Sequence, residues 1–396
     1  MDQLEAIVVG AGLSGLTAAR RLARAGTSVA VLEARERVGG RAWRLDVGGL
    51  PFDAGCEALW DTHVRLLTLA GELGVAVHAG RPWAGHGKPS PPLLVALAAE
   101  IAGLAARVDP AHPEELDGAG ALDAVTLGAW LVEHGADAET LALAETRYAV
   151  ASSSVPIAEM SLLAYAAKLA AGAAPDAPAL RLEGGPSALA ERLADGLDVR
   201  LGAEVVAVEE ASAGVRARLR DGTELHARRA VVALPLTLQR SLRFDPPLPA
   251  HRRAALAEAR YGDAVKAGFA FDAPPARELP ELTPAGVLYR PDPGVPLLAL
   301  FAGAGAAGRA RAEPRALFAT AERPRSISVV DWTADRYARG SYLIFGAGQL
   351  TSWGRRLAER HGRVHFAGAE ASDLPSFMEG AVRAGERAAD EVLAAG

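Results

Sequence analysis

An α/β protein of two interleaved domains, one of them a Rossmann-type dinucleotide-binding unit, is predicted by three observations. Gly10, Gly12 and Gly15 carry a Gly-x-Gly-x-x-Gly spacing directly after the apolar run Ala6 to Val9. A second apolar run ends at an acid, Glu33, about twenty residues further on. Strand-like and helix-like patterns then alternate along 396 residues, enough chain for two sizeable cores.

The opening unit can be justified residue by residue. Glycine at the three positions permits a tight turn, a close approach of backbone to a pyrophosphate, and close packing of helix on strand. The helix that follows, to Ala25 and closed by Gly26, starts with free N–H groups and its positive dipole end aimed at phosphates. Glu33 can accept hydrogen bonds from ribose hydroxyls and would repel a 2′-phosphate. That disfavours NADP and leaves FAD or NAD. The run Glu33-Ala34-Arg35-Glu36-Arg37-Val38-Gly39-Gly40-Arg41 decides for FAD. A second glycine pair ending in Arg, continuing straight from the ribose acid, is an extension that a nicotinamide enzyme does not need.

Asp46 to Trp60 is turn-rich and belongs with this cofactor unit. From about Pro82 to Ala179 apolar residues recur at three and four spacing, broken at Pro91 and Pro92, Pro110 to Pro113, and Pro156, which predicts a mostly helical stretch. Glu183-Gly184-Gly185-Pro186-Ser187 turns into a helix through Ala194. Val199 to Val208 reads as one strand. Val215 to Leu219, the Asp221-Gly222 turn and Leu225 to Ala227 read as a hairpin. Ala230 to Leu234 reads as a separate buried strand stopped by Pro235, and a helix is expected from Glu379 to about Ala394. The predicted division gives residues 1–80, 183–240 and 336–396 to the cofactor domain, and 81–182 and 241–335 to a substrate domain.

Half of the residues are apolar and the formal net charge is −6, which leaves no basic footprint for a nucleic acid. The first strand starts too early for a signal peptide, and the apolar windows Pro92 to Val108 and Ser161 to Ala174 are too short and too interrupted to span a bilayer. A soluble, cytoplasmic protein is expected, with no membrane partner and no metal. Cys56 is the one cysteine, so no internal disulfide forms.

The N-terminal segment, Gly184-Gly185-Pro186-Ser187, Val231-Val232-Ala233-Leu234-Pro235, Phe244-Asp245-Pro246-Pro247-Leu248-Pro249, Phe366-Ala367-Gly368-Ala369-Glu370, Phe377 to Val382 and Gly385 to Ala389 together closely resemble the flavin amine oxidase family along nearly the whole chain. The chain is shorter than typical members, mainly between Arg290 and Val329. The resemblance implies a Rossmann-type FAD-binding domain interleaved with an α+β substrate-binding domain. It implies FAD contacts from Ser14 and Arg41 to the phosphates, Glu33 to the adenosine ribose, and the backbone of Val205 to the adenine, with Ala34, Arg35, Gly40 and Gly368 in the same cradle. Glu370 would lie along the ribityl and phosphate region. The backbone N–H of Met378, opening the last helix, would face the flavin pyrimidine oxygen, where a helix N-terminus stabilises the charge of reduced flavin.

Lys266 is the predicted reactive cation. The chain uses 39 Arg and only three Lys, at 88, 168 and 266, and an ammonium in the strand-like run Asp263 to Phe269 is tunable in a way that a guanidinium is not. The resemblance gives Lys266 a water bridge to flavin N5 and a part in oxygen reactivity. It also gives Tyr342 and Phe377 the two walls of an aromatic slot for the amine, and Trp332 a place flanking the flavin. Ser341 stands where animal members attach flavin through a cysteine, so FAD is expected to be held without a covalent bond there. Cys56 and Glu57 depart from the family pattern beside the flavin, and Glu57 has two readings, a contact for the substrate ammonium or a carboxylate turned to the protein or to solvent, of which the second is preferred. The implied reaction is FAD-dependent oxidation of an amine C–N bond to an imine, then an aldehyde or ketone, with O2 reduced to H2O2; a homodimer is compatible. Two alternatives share the same cofactor motifs: desaturation of a C–C or ring C–N bond, as in protoporphyrinogen or carotenoid oxidoreductases, and a flavin-binding scaffold without turnover.

Overall fold

The apolar run Leu4–Val9 forms a strand at the heart of an eight-stranded sheet in the computed structural model. The structure describes residues 4–80, 91–172, 179–211, 213–276, 279, 281–283, 286–292, 294–303, 307–313 and 323–395. Pro82 and Lys88, and part of the shortened stretch between Arg290 and Val329, lie outside the described residues. The sheet runs Arg243–Asp245, Val205–Ala211, Gly214–Leu219, Glu224–Val232, Leu4–Val9, Val29–Leu32, Asp198–Arg200, and Val364–Phe366 also pairs with Glu224–Val232. Leu4–Val9 is flanked by parallel neighbours on both sides. Ile7, Val8, Val31 and Val231 have no solvent exposure, as strands covered on both faces require.

Two helices, Leu13–Arg24 and Met378–Ala394, cover one face. Their contact explains Gly385: a Cβ there would stand 2.3 Å from the Ser14 carbonyl oxygen. Gly15 obeys the same logic, since its Cβ would stand 1.9 Å from the Gly10 carbonyl oxygen.

Three readings of this region need correction. The run Val199 to Val208 is two strands, Asp198–Arg200 and Val205–Ala211, parted by a turn in which Gly202 takes φ +66°. The backbone N–H groups of Gly202 and Ala203 there donate to the carbonyls of Arg35 and Glu33. Conversely, Leu225 to Ala227 and Ala230 to Leu234 are one strand, Glu224–Val232. Its first half pairs antiparallel with Gly214–Leu219, and its second half is parallel to both Leu4–Val9 and Val364–Phe366. Finally, the sheet takes in Arg243–Asp245, past the expected boundary at 240.

A second, antiparallel sheet orders Glu281–Thr283, Gly286–Tyr289, Leu297–Ala302, Val265–Ala270 and Ser326–Asp331. Val265–Ala270 is an interior strand and is buried throughout, which places Lys266 in a core position. Helices Pro92–Ala105, Leu127–Glu133, Ala138–Ala144 and Leu162–Ala170 pack their Leu97, Ile101, Leu131 and Leu163 into a separate core. Between them Glu145–Ser153 is a π-helical stretch that ends at Ser154, whose φ is +56°. π-Helical turns are rare and concentrate at functional sites. Among the described residues no helix is long and apolar enough to cross a membrane.

Candidate active site

One cavity of about 440 Å³ runs from the first glycine turn, past the N-terminus of the last helix, to the helical layer. Its floor is built where the two glycine segments meet. The Gly39 N–H donates 2.8 Å to the Ala11 carbonyl, Gly12 and Gly39 form a parallel bridge, and Gly39 and Gly40 both have positive φ. A Cβ on Gly12 would meet nothing within 4 Å, so the space above this turn is open. The helix Leu13–Arg24 has no side-chain cap, which leaves its first N–H groups available to a ligand. Ser14 Oγ accepts 2.8 Å from the Gly368 N–H, which ties this turn to the C-terminal segment.

Glu33 is buried at the end of Val29–Leu32, and its carboxylate accepts from the Ala11 N–H at 2.8 Å and the Arg35 N–H at 2.9 Å. Ala34 and Arg35 continue the cavity wall, and Arg35 is fixed by a bidentate pair to Asp335. The ladder slips register between Val205 and Ala207, and both Val205 and Val206 line the cavity there. Such a bulge frees backbone groups from the ladder.

Further along, Arg41 donates to the Ser341 carbonyl at 2.8 Å and to Glu370 Oε1 at 2.9 Å. The Tyr261 hydroxyl, absent from the sequence-derived set, donates to the same Oε1 at 2.8 Å. Glu370 Oε2 is buried without a partner. An orphaned buried carboxylate oxygen beside the cavity fits a ligand hydroxyl. Together with the open space above Gly12 and the uncapped N-terminus of Met378–Ala394, it makes these residues fit an extended dinucleotide such as FAD. Ser341 has its own hydroxyl bonded to the Gly262 carbonyl at 2.9 Å.

Glu57 takes the preferred of its two expected readings, and the substrate-ammonium contact is set aside. Its Oε2 accepts 2.6 Å from Lys266 Nζ and 2.5 Å from the Tyr289 hydroxyl, and its Oε1 accepts from Arg181. The carboxylate is turned into the protein, because two buried cations need it more than an incoming amine does. Burial alone would push its pKa up, but Lys266 and Arg181 outweigh that and hold it down at about 2. Lys266 Nζ also donates to the carbonyls of Asp53 at 2.7 Å and Gly55 at 3.0 Å, so all three of its protons are engaged within the protein. Trp332 is buried, edge-on to Trp43, with Nε1 donating 2.8 Å to the Ala54 carbonyl. Cys56 faces the cavity, and burial pushes its thiol up to about 12, which leaves it a poor nucleophile.

At the far end Tyr342 and Phe377 both line the cavity. Phe377 is held edge-on by Trp60 at 6.0 Å and by His63 at 5.3 Å between ring centroids. The Tyr342 hydroxyl donates 2.9 Å to the Ser152 carbonyl. Lys168, which sequence reasoning passed over as an interruption of an apolar window, stands here with its Nζ 5.6 Å from the Tyr342 ring centroid. Burial pulls its pKa down to about 7. The rarity of lysine, which singled out Lys266, was the signal that could have found it.

The chain matches the family model described as flavin containing amine oxidoreductase over residues 13–393. A Mycobacterium tuberculosis protein carrying the name flavin-containing monoamine oxidase AofH is 29% identical, over 99% of this chain and 97% of its own. The L-amino acid dehydrogenase of Synechocystis is 28% identical, over 98% and 94%. Among solved structures, cyclohexylamine oxidase from Brevibacterium oxydans superposes with a TM-score of 0.89 at 27% identity, covering 100% of this chain and 99% of that one.

Proposed function

Because the chain belongs to the flavin containing amine oxidoreductases, we propose which of its residues carry each part of an FAD-dependent oxidation of an amine to an imine. The observation that carries the reading is the continuity of the cavity, with the two glycine turns and Glu33 at one end and Tyr342 and Phe377 at the other. Segments 1–80, 183–240 and 336–396 supply the cofactor side, extended by Arg243–Asp245; segments 81–182 and 241–335 supply most of the substrate side.

Gly10, Gly12, Ser14, Gly15, Gly40 and Arg41 hold the pyrophosphate of FAD, Glu33 with Ala34 and Arg35 the adenosine ribose, and the Val205 bulge the adenine. Glu370 offers its unpartnered Oε2 to a ribityl hydroxyl, and Gly368 and the Met378 N–H complete the cradle. When bound, FAD supplies the two-electron acceptor. Tyr342 and Phe377 orient the amine, while Trp60 and Trp332 help keep water out, so that a neutral amine is favoured over its cation. Lys266, paired to Glu57, keeps a fixed positive charge beside that end and favours reduction of O2 to H2O2 through its field.

The test is direct. Purified protein is expected to be yellow, to bleach anaerobically with members of an amine panel, and to yield peroxide in step with imine hydrolysis in air. Colourless protein that refuses reconstitution refutes the reading. Bleaching by amines without peroxide in air would replace O2 by another acceptor.

A further inference from the structure

We propose that the amine oxidised here bears a carboxylate, and that Lys168 with the Ser152 hydroxyl binds that carboxylate. The proposal rests on the amine-oxidising reading above and names the substrate class of the same site.

Two lysines line the cavity, and they are not equivalent. Lys266 already has a counter-ion in Glu57, which Arg181 shares. Lys168 has no carboxylate within ion-pairing distance among the described residues; its Nζ donates to the Ser152 carbonyl at 2.7 Å, Ser152 Oγ at 3.2 Å and Ser153 Oγ at 3.1 Å. These acceptors are neutral. A half-buried ammonium without a counter-ion is costly unless a ligand provides one.

Ser152 Oγ accepts a hydrogen bond from Nζ, so its own O–H remains to be donated, and Ser152 lines the cavity. An ammonium whose two longer bonds, at 3.1 and 3.2 Å, go to hydroxyls that a carboxylate can displace, with a hydroxyl donor beside it, forms a receptor for an oxyanion. The assembly is rigid, because the Ser152 carbonyl accepts from both Lys168 and the Tyr342 hydroxyl. The π-helical stretch Glu145–Ser153 delivers Ser152 and the buried Ser153 together to this point.

Among the described residues the carboxylates along the cavity wall are Glu33 and Glu204 at the cofactor end and Glu57, already engaged. A diamine lying on Tyr342 would bring its second ammonium toward Lys168 and find no acid among those residues. An amino acid in the same place meets an opposite charge within reach of the ring that orients its nitrogen.

The experiment pairs each amino acid with its decarboxylated amine, phenylalanine with phenethylamine and leucine with isopentylamine. Reduction of bound flavin is followed anaerobically in wild-type holoenzyme and in Lys168→Met. Benzoate, which cannot be oxidised, is titrated against the oxidised flavin spectrum in parallel. The expected result is a preference for the carboxylated partner of at least about tenfold in kcat/KM, carried by KM, that falls about tenfold in Lys168→Met. Benzoate binding should be lost with it and restored in Lys168→Arg, whose recovery also shows that the site has folded. Equal use of both partners by the wild type, or a preference untouched by Lys168→Met, overturns the proposal while leaving amine oxidation standing. Bleaching by no amine at all overturns the reading on which it rests.

Discussion

Glu57→Gln isolates the buried charge cluster in a single substitution that preserves shape. The wild-type carboxylate has a pKa of about 2 against an ordinary 4.5, because Lys266 and Arg181 more than offset the effect of burial. A depressed folded-state pKa gives stability that is present above the unfolded value and is lost as pH falls through the folded one. At about 1.4 kcal/mol per pKa unit, ionised Glu57 contributes roughly 3 kcal/mol at pH 7 and between about 1 and 2 kcal/mol at pH 3. This agrees with the roughly 3–5 kcal/mol lost when one partner of a buried ion pair is removed. Urea denaturation of the FAD-loaded protein should therefore show Glu57→Gln less stable by about 3 kcal/mol at pH 7, with the gap closing toward pH 3. A difference within about 0.5 kcal/mol at pH 7, the range of an ordinary surface substitution, would refute the assignment of Glu57 as the counter-ion.

Other perturbations separate the cofactor side from the substrate side. Gly15→Ala puts a methyl group 1.9 Å from the Gly10 carbonyl oxygen and is expected to lower the flavin-to-protein absorbance ratio of purified material; full flavin content would show that the turn yields. Tyr261→Phe removes the hydroxyl that donates to Glu370 and accepts from the Leu236 N–H, and should cost about 1–3 kcal/mol in the same denaturation assay. Lys168 sits near pH 7 against an ordinary 10.5, so the unfolded chain holds a proton that the folded one lacks between those values. Its contribution to stability should rise with pH across that window and be absent from Lys168→Met. The groups facing it are the Ser152 and Ser153 hydroxyls and Tyr342, itself held up at about 12 chiefly by burial. Arg355 and Asp373, across a small adjoining cavity, are paired to Glu114 and Arg383.

What the sequence disclosed was whatever a local spacing enforces. The glycine turn, Glu33 and the second glycine pair sit within about thirty residues of one another, and each answers to a steric or charge requirement that few other residues meet. The split at Gly202 was hidden because apolar residues keep alternating across it at Val199, Leu201, Ala203 and Val205, and only backbone bonds to Glu33 and Arg35 reveal the turn. The strand Glu224–Val232 passed for two because its burial changes from alternating to continuous as it moves from a half-exposed hairpin to the sheet interior. Glu57 and Lys266 stand 209 residues apart, and Ser152 and Tyr342 190 apart, so their pairing depends on how two sheets and a helical layer meet. No window of sequence contains that information.

The strand Val364–Phe366, the segment Gly368–Ala369 and the helix that begins at Met378 all come from the final stretch of the chain, yet the last two wall the same cavity as the glycine turn at its start. A ribosome therefore finishes most of its work before the binding cleft has all its sides. Until then the emerging polypeptide shows an open edge at Ala230–Val232 and an incomplete nest for phosphate, so capture of the flavin is a late event in synthesis.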